Sequence, residues 1–231
     1  MSIIRFIHPQ SLSGTVDALS EAIADRARIS AGDRTEVARW IASRQGLPGA
    51  YGGTFAPFEQ ERRGGIRLFT GERATSASAR HILGEESCRV LLQLRVRDPI
   101  VGRALGRATE GLLECLARSA VRKRIKNPGL FCCGPCTVGL WRHLAVGGLD
   151  RQEERLERGV SSLRARRDGL GGWRRFPFWY TVLLLSELDR PYVKAELRYI
   201  APALERAVRR AAANPYAARR RAAATRALSL L

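Results

Sequence analysis

Residues 157–188 read ERGVSSLRARRDGLGGWRRFPFWYTVLLLSEL, and this stretch decides the fold. A helical register runs out into arginines, turns at Asp168-Gly169 and Gly171-Gly172, lands on Trp173 and enters an apolar run, Phe176–Ser186. Glycine and aspartate are the residues a tight reversal needs. The apolar run has the length of a buried helix and is far short of the ~20 residues that span a bilayer. The unit predicted is a helix, a glycine turn carrying an aromatic residue, and a second helix.

Weaker copies lie on either side. Residues 12–29 place Leu12, Val16, Leu19 and Ile23 at helical spacing. Asp33 stands at an N-cap position before TEVARWIASRQ, which ends near Gly49-Ala50-Tyr51. Thr75 or Ser76 can cap a helix over 76–94, and Asp98-Pro99 starts the next. That helix leads through a basic loop to Gly129-Leu130-Phe131. A third pair covers 136–146 and, after Asp150, 151–167. The fourth has 178–188, then Asp189 and Pro191 opening a helix to about Arg210. The order is helix, aspartate, helix, Gly-x-aromatic, with Phe131 and Trp173 spaced as helical-hairpin repeats are. A hairpin cannot cover its apolar stripe alone, and stacking neighbours covers it. The expected class is therefore all-α: about four αα-hairpins in an incomplete α/α-toroid-like or curved solenoid arrangement. It forms one domain, 1–213, with a Gly-rich insertion at 46–74 and a basic Ala/Arg-rich tail, 214–231. An irregular helical bundle is the competing architecture.

Gly159, Leu163, Arg167, Asp168-Gly169 and Gly172-Trp173, followed by Thr181–Leu188, resemble the repeat of terpenoid cyclases and protein prenyltransferase β subunits. In that repeat a glutamine usually stands where this chain has Arg167; the first unit keeps one, Gln45. The resemblance implies a helix-lined cavity that takes apolar isoprenoid or phosphate-bearing ligands. The Asp-x-Asp-Asp motif of squalene-type cyclases is absent, and the zinc ligands of prenyltransferases have no matching positions. No catalytic residue is implied.

The net charge is +18, but only three of the 40 basic residues are lysine. Arginine and alanine at this level are what a GC-rich genome produces, so the placement of the arginines says more than their number. Arg44, Arg122, Arg124, Arg167, Arg174 and Arg175 fall in equivalent loops of the repeat register. Stacked hairpins would align them as a basic edge for a phosphate group or a nucleic-acid backbone. The N-terminal residues lack a signal peptide's apolar stretch, and five cysteines do not read as a disulfide framework. A cytoplasmic protein with no membrane span is expected, with a homodimer as one way to complete a ring.

Phe131-Cys132-Cys133-Gly134-Pro135-Cys136 precedes a helix, where a thiolate is stabilised. Three readings compete: a zinc site, as a metal-dependent transferase or cyclase would use, thiol–disulfide chemistry, and small residues at a tight turn. Cys132, Cys133 and Cys136 would need partners from another hairpin, and His81, Glu85 and Cys88 share one helical face. The insertion contributes Glu59, Glu61 and Glu72 as carboxylates for acid–base work.

Overall fold

The computed structural model describes residues 5–121, 127–210 and 214–231, apart from the Ser76 side chain. It is all-α, with one very small sheet. The described residues form helices α1 (Leu12–Ala24), α2 (Ala31–Ala42), α3 (Glu59–Gly64), α4 (Ser76–Leu94), α5 (Pro99–Val121), α6 (Gly134–Ala145), α7 (Gln152–Ser161), α8 (Phe178–Glu187), α9 (Pro191–Arg209) and α10 (Ala217–Leu228). The antiparallel strands β1 (Ile66–Arg67) and β2 (Arg73–Ala74) form a hairpin inside the Gly-rich insertion.

The helices divide into two layers. Along one, α1 packs on α4, α4 on α6, α6 on α8 and α8 on α10. The others, α2, α5, α7 and α9, back this row; α5 rests on α2 and α4, α7 on α6, and α9 on α7 and α10. Composition explains the division. Every residue of α6 from Cys136 to Leu144 is buried, and α8 is buried from Tyr180 to Ser186. α9 buries only one stripe, Val193, Glu196, Leu197, Ile200 and Leu204, as an amphipathic outer helix should.

Several sequence expectations are corrected here. Only Asp98 caps a helix as the pattern requires, its Oδ1 accepting from the Ile100 and Val101 amides at 2.8 and 3.2 Å. Ser30 caps α2, with Asp33 one turn inside and bonded back to the Ser30 hydroxyl. The residues preceding α7 and α9 are Arg151 and Arg190, and Asp150 instead pairs with Arg155. The helix expected over 151–167 tightens at Ser162 into a 3-10 turn ending at Arg166. Within the basic 214–231 segment, Ala217–Leu228 form α10. Ala223, Ala224 and Ala227 are buried, and these small side chains let α10 lie close against α8. Arg219 of α10 then reaches Asp17 and Glu21 of α1, so the last inner helix meets the first within a single chain.

The ends of the outer helices are tied to their neighbours. Gln45 and Phe55 form an isolated antiparallel bridge, and Arg167 and Trp173 form another. Gln45 accepts from Arg107 of α5, while Arg167 pairs with Glu196 of α9 at 2.8 Å. Glutamine and arginine thus do the same work at matching places: each fastens a helix end to the next outer helix. In this register Phe55, fully buried, occupies the place of Trp173. Tyr51, expected there, sits instead against His81 and Phe131. The Trp173 indole donates to Glu196 at 2.8 Å. The turn before it is latched by the Tyr199 hydroxyl, which accepts from the amides of Gly169 and Gly171. At Gly159 a Cβ would overlap the Trp141 indole nitrogen and the Gly129 carbonyl, so glycine is required for α7 to approach this closely.

Trp173→Ala empties a core site and leaves Glu196 short of a donor. We expect a loss of about 3–5 kcal/mol in unfolding free energy, read by urea denaturation. A loss below about 1 kcal/mol would mean that the aromatic is not a wedge between hairpins.

Candidate functional site

Two clusters of chemistry-bearing side chains occupy opposite ends of the inner helices. The first lies at the starts of α4 and α6. Cys133 is the N-cap of α6, and Thr137 staples the preceding turn, accepting from the Phe131 amide at 2.9 Å and donating to the Phe131 carbonyl at 2.7 Å. This fixes Cys132, Cys133 and Cys136 around one helix end. His81, on the first turns of α4, brings Nδ1 to 3.4 Å from Cys132 Sγ. The ligand atoms of His81, Cys132 and Cys136 lie within 4.8 Å of one another, and the three residues could hold a metal ion. Cys133 Sγ is 3.1 Å from Cys136 Sγ and 3.5 Å from the Ser78 hydroxyl.

The imidazole is held in place by aromatic rings. The Tyr51 centroid is 3.5 Å from that of His81, and the Phe131 centroid 5.3 Å away. Burial lowers the His81 pKa to about 4, so the ring is neutral at pH 7 and keeps a nitrogen lone pair. The Cys133 thiol is pushed far down, chiefly by its hydrogen bonds to Cys132 and then Cys136. The Cys132 thiol rises to about 11, mainly through the hydrogen bond to Cys133.

The other two residues on the predicted α4 face part company with His81. Glu85 Oε2 lies 2.7 Å from Nδ1 of His143, and both side chains are buried. Cys88 is fully buried, and desolvation raises its thiol pKa. Of the six metal candidates read from sequence, the structure gathers His81, Cys132 and Cys136, sets Cys133 beside Cys136 but outside that mutual group, and places Glu85 and Cys88 elsewhere.

The second cluster is a cavity of about 820 Å³ near the C-terminal ends of α1, α4, α6 and α8. All five inner helices line it, α10 included. Its wall carries Arg26, Arg89, Arg142, Arg219 and Arg226 against Glu21, Asp25 and Glu187. Arginine suits this end of the helices, where carbonyl groups carry partial negative charge. At the floor, Arg142 is nearly inaccessible and bridges Glu187 at 2.7 Å and Glu86 at 2.5 Å. Glu86 also accepts from Arg89 at 2.6 Å and from the Tyr180 hydroxyl. These cations hold the Glu86 pKa down at about 2 against its own burial. Asp17 behaves oppositely: desolvation lifts it to about 7, only partly opposed by Arg219.

Sequence reading did not anticipate this network. A signal was present in α6, where Arg142 and His143 interrupt an otherwise apolar run, and in the adjacent Glu85 and Glu86 with Arg89 one turn on.

The insertion's carboxylates are scattered over different tasks. Glu61 is buried and caps α1, accepting from Ser13 at 2.7 Å and from the Ser11 hydroxyl at 2.9 Å. Glu72 accepts from the Tyr180 amide at 2.9 Å, at the start of α8. Glu59 is exposed and pairs with Arg63. The arginine edge is likewise divided. Arg44 is spent on the Ala56 carbonyl and the Phe58 ring, and Arg167 on Glu196. Arg174 and Arg175, with Arg166, line an open cleft of about 460 Å³. Arg122 and Arg124 lie outside the described residues.

No protein-family model, curated protein or solved structure matches this chain. No described helix is long and apolar enough to cross a membrane.

Asp17 supplies a pH test. In the folded chain it holds its proton to about pH 7, whereas an unfolded aspartate releases it near ~3.9. Between these values the folded state binds the extra proton, so this group's contribution to stability falls as pH rises. The difference in unfolding free energy, wild type minus Asp17→Asn, is expected to fall between pH 5 and pH 8. A flat difference would place the Asp17 pKa in the ordinary range.

Proposed function

We propose that the chain is a helical-hairpin protein of the α/α-toroid type, whose central cavity binds a small phosphate-bearing or otherwise anionic ligand. One observation carries this reading: five arginines and three carboxylates converge from five helices and their ends on a single cavity of about 820 Å³. That is room for a metabolite. The resemblance to terpenoid cyclases and prenyltransferase β subunits allowed both apolar and phosphate-bearing ligands. The charged wall favours the second, since an isoprenoid chain would cover guanidinium groups without offering them an acceptor. Arg142 and Arg89 are engaged by Glu86, Glu187, Ser20 and Gln93, and so form a rigid floor. Arg226 and Arg26, nearer the mouth, form no ion pair among the described residues and are the groups offered to the ligand. The ring needs no second copy, because α10 joins α8 to α1. No bond-making step is assigned to the cavity.

The nucleic-acid reading rests on the open cleft of Arg166, Arg174 and Arg175. Calorimetric titration separates the two. With pyrophosphate as probe at 50 mM salt, we expect saturable binding that weakens about tenfold in Arg226→Ala, the loss of about 1.4 kcal/mol, and is unchanged in an Arg174→Ala/Arg175→Ala double variant. Duplex DNA binding that falls steeply with salt and depends on Arg174 and Arg175 would favour the other reading. Pyrophosphate binding that ignores Arg226 would remove the cavity proposal.

A further inference from the structure

We propose that His81, Cys132 and Cys136 bind a zinc ion, with Cys133 as the fourth ligand. This site stands apart from the cavity and from any ligand bound there. It joins residues 51 apart in sequence, from two different hairpins, at the end of the inner helices away from the charged wall. From Arg89 and Gln93 on the cavity wall back to His81 is 8 to 12 residues of α4, roughly 12–18 Å.

The donor set fits the ion. Three sulfurs and one imidazole nitrogen are soft and borderline ligands, which select zinc over magnesium or calcium. In a tetrahedral zinc site with bonds of about 2.3 Å to sulfur and 2.0–2.1 Å to nitrogen, ligand atoms stand roughly 3.5–3.8 Å apart. The His81–Cys132 separation is 3.4 Å and the Cys133–Cys136 separation 3.1 Å. The mutual 4.8 Å limit for His81, Cys132 and Cys136 means that small side-chain rotations suffice to bring all three onto one ion. The surroundings are already ordered. Thr137 fixes the cysteine turn, and Tyr51 and Phe131 hold the imidazole plane. Cys136 is buried, while Cys132 is exposed and gives the ion a path of entry. The remaining cysteines are excluded by position: Cys115 is engaged by Arg118 on α5 at 3.0 Å, and Cys88 is in the core.

A disulfide is the chemical rival, since Cys133 and Cys136 are close and have the Cys-Gly-Pro-Cys wording of a redox pair. Zinc uses Cys132 and His81 as well; a disulfide between Cys133 and Cys136 leaves both idle.

The test is metal analysis of the full chain, purified from zinc-supplemented medium under reducing conditions. One zinc per chain is expected, falling to background in Cys132→Ser/Cys136→Ser and to a fraction in His81→Ala. Cys88→Ser serves as the control that keeps its metal. Cobalt(II) added to the reduced, metal-stripped protein should give the visible bands of tetrahedral coordination and a thiolate charge-transfer band, the latter diminished in Cys133→Ser. Far-ultraviolet circular dichroism confirms that the variants fold, and exposed Cys132→Ser alone gives a variant whose fold should not change. Absence of zinc together with absence of tetrahedral cobalt bands in the folded, reduced protein overturns the proposal. So does zinc retained in full by Cys132→Ser/Cys136→Ser. Cobalt bands indifferent to Cys133→Ser overturn the assignment of the fourth ligand.

Discussion

Arg142 is the side chain on which the centre of the molecule depends. It projects from the middle helix of the inner row and binds carboxylates on both neighbours, Glu86 of α4 and Glu187 of α8. A guanidinium this deeply buried is tolerated only when fully paired. Tyr180 and Arg89 complete the pairing by satisfying Glu86. Three inner helices are thereby held at one level and in one register, and the cavity above them has a floor that cannot relax without exposing unpaired charge. Apolar packing could hold the same helices together, but would specify their register less tightly.

The Gly-rich insertion gains its meaning from the same requirement. Helices leave orphan amide groups wherever they begin. The insertion crosses that end and supplies acceptors: Glu61 to α1 and Glu72 to α8. In return it receives donors from α10, Arg219 to the Phe69 carbonyl and Arg220 to the Thr70 carbonyl. It reads as a plug that ties α1, α8 and α10 together. Carboxylates spent in this way are poor candidates for moving protons, however suggestive they look in sequence.

Two ends with different chemistry follow from one architecture. Helix starts gather at one end, where a helix start favours a negative group such as a thiolate; helix ends gather at the other, where arginines are favoured. The cysteine–histidine cluster and the charged cavity are thus placed by the direction of the helices, not by separate devices.

Much of the architecture was legible in the chain itself. The glycine turn before Trp173, the apolar run of α8 and the Asp98-Pro99 start are local signals, and local propensity and periodicity decide them. The likeness of Gln45 to Arg167 was visible too, although what each grips, Arg107 or Glu196, depends on the next hairpin. The cysteine turn was plain, and so was the helical face carrying His81, Glu85 and Cys88. Only packing decided that His81 meets Cys132 while Glu85 meets His143, because a helix turns each successive residue toward a different neighbour. The cavity was the least legible feature. Its charged residues come from five helices spread over some two hundred positions, and each alone looks like a stray polar residue in an apolar stretch. α10 shows the reverse: an Ala/Arg-rich composition is equally compatible with a loose tail and a packed helix, and only the burial of Ala223, Ala224 and Ala227 in its packing against α8 and α9 chose between them.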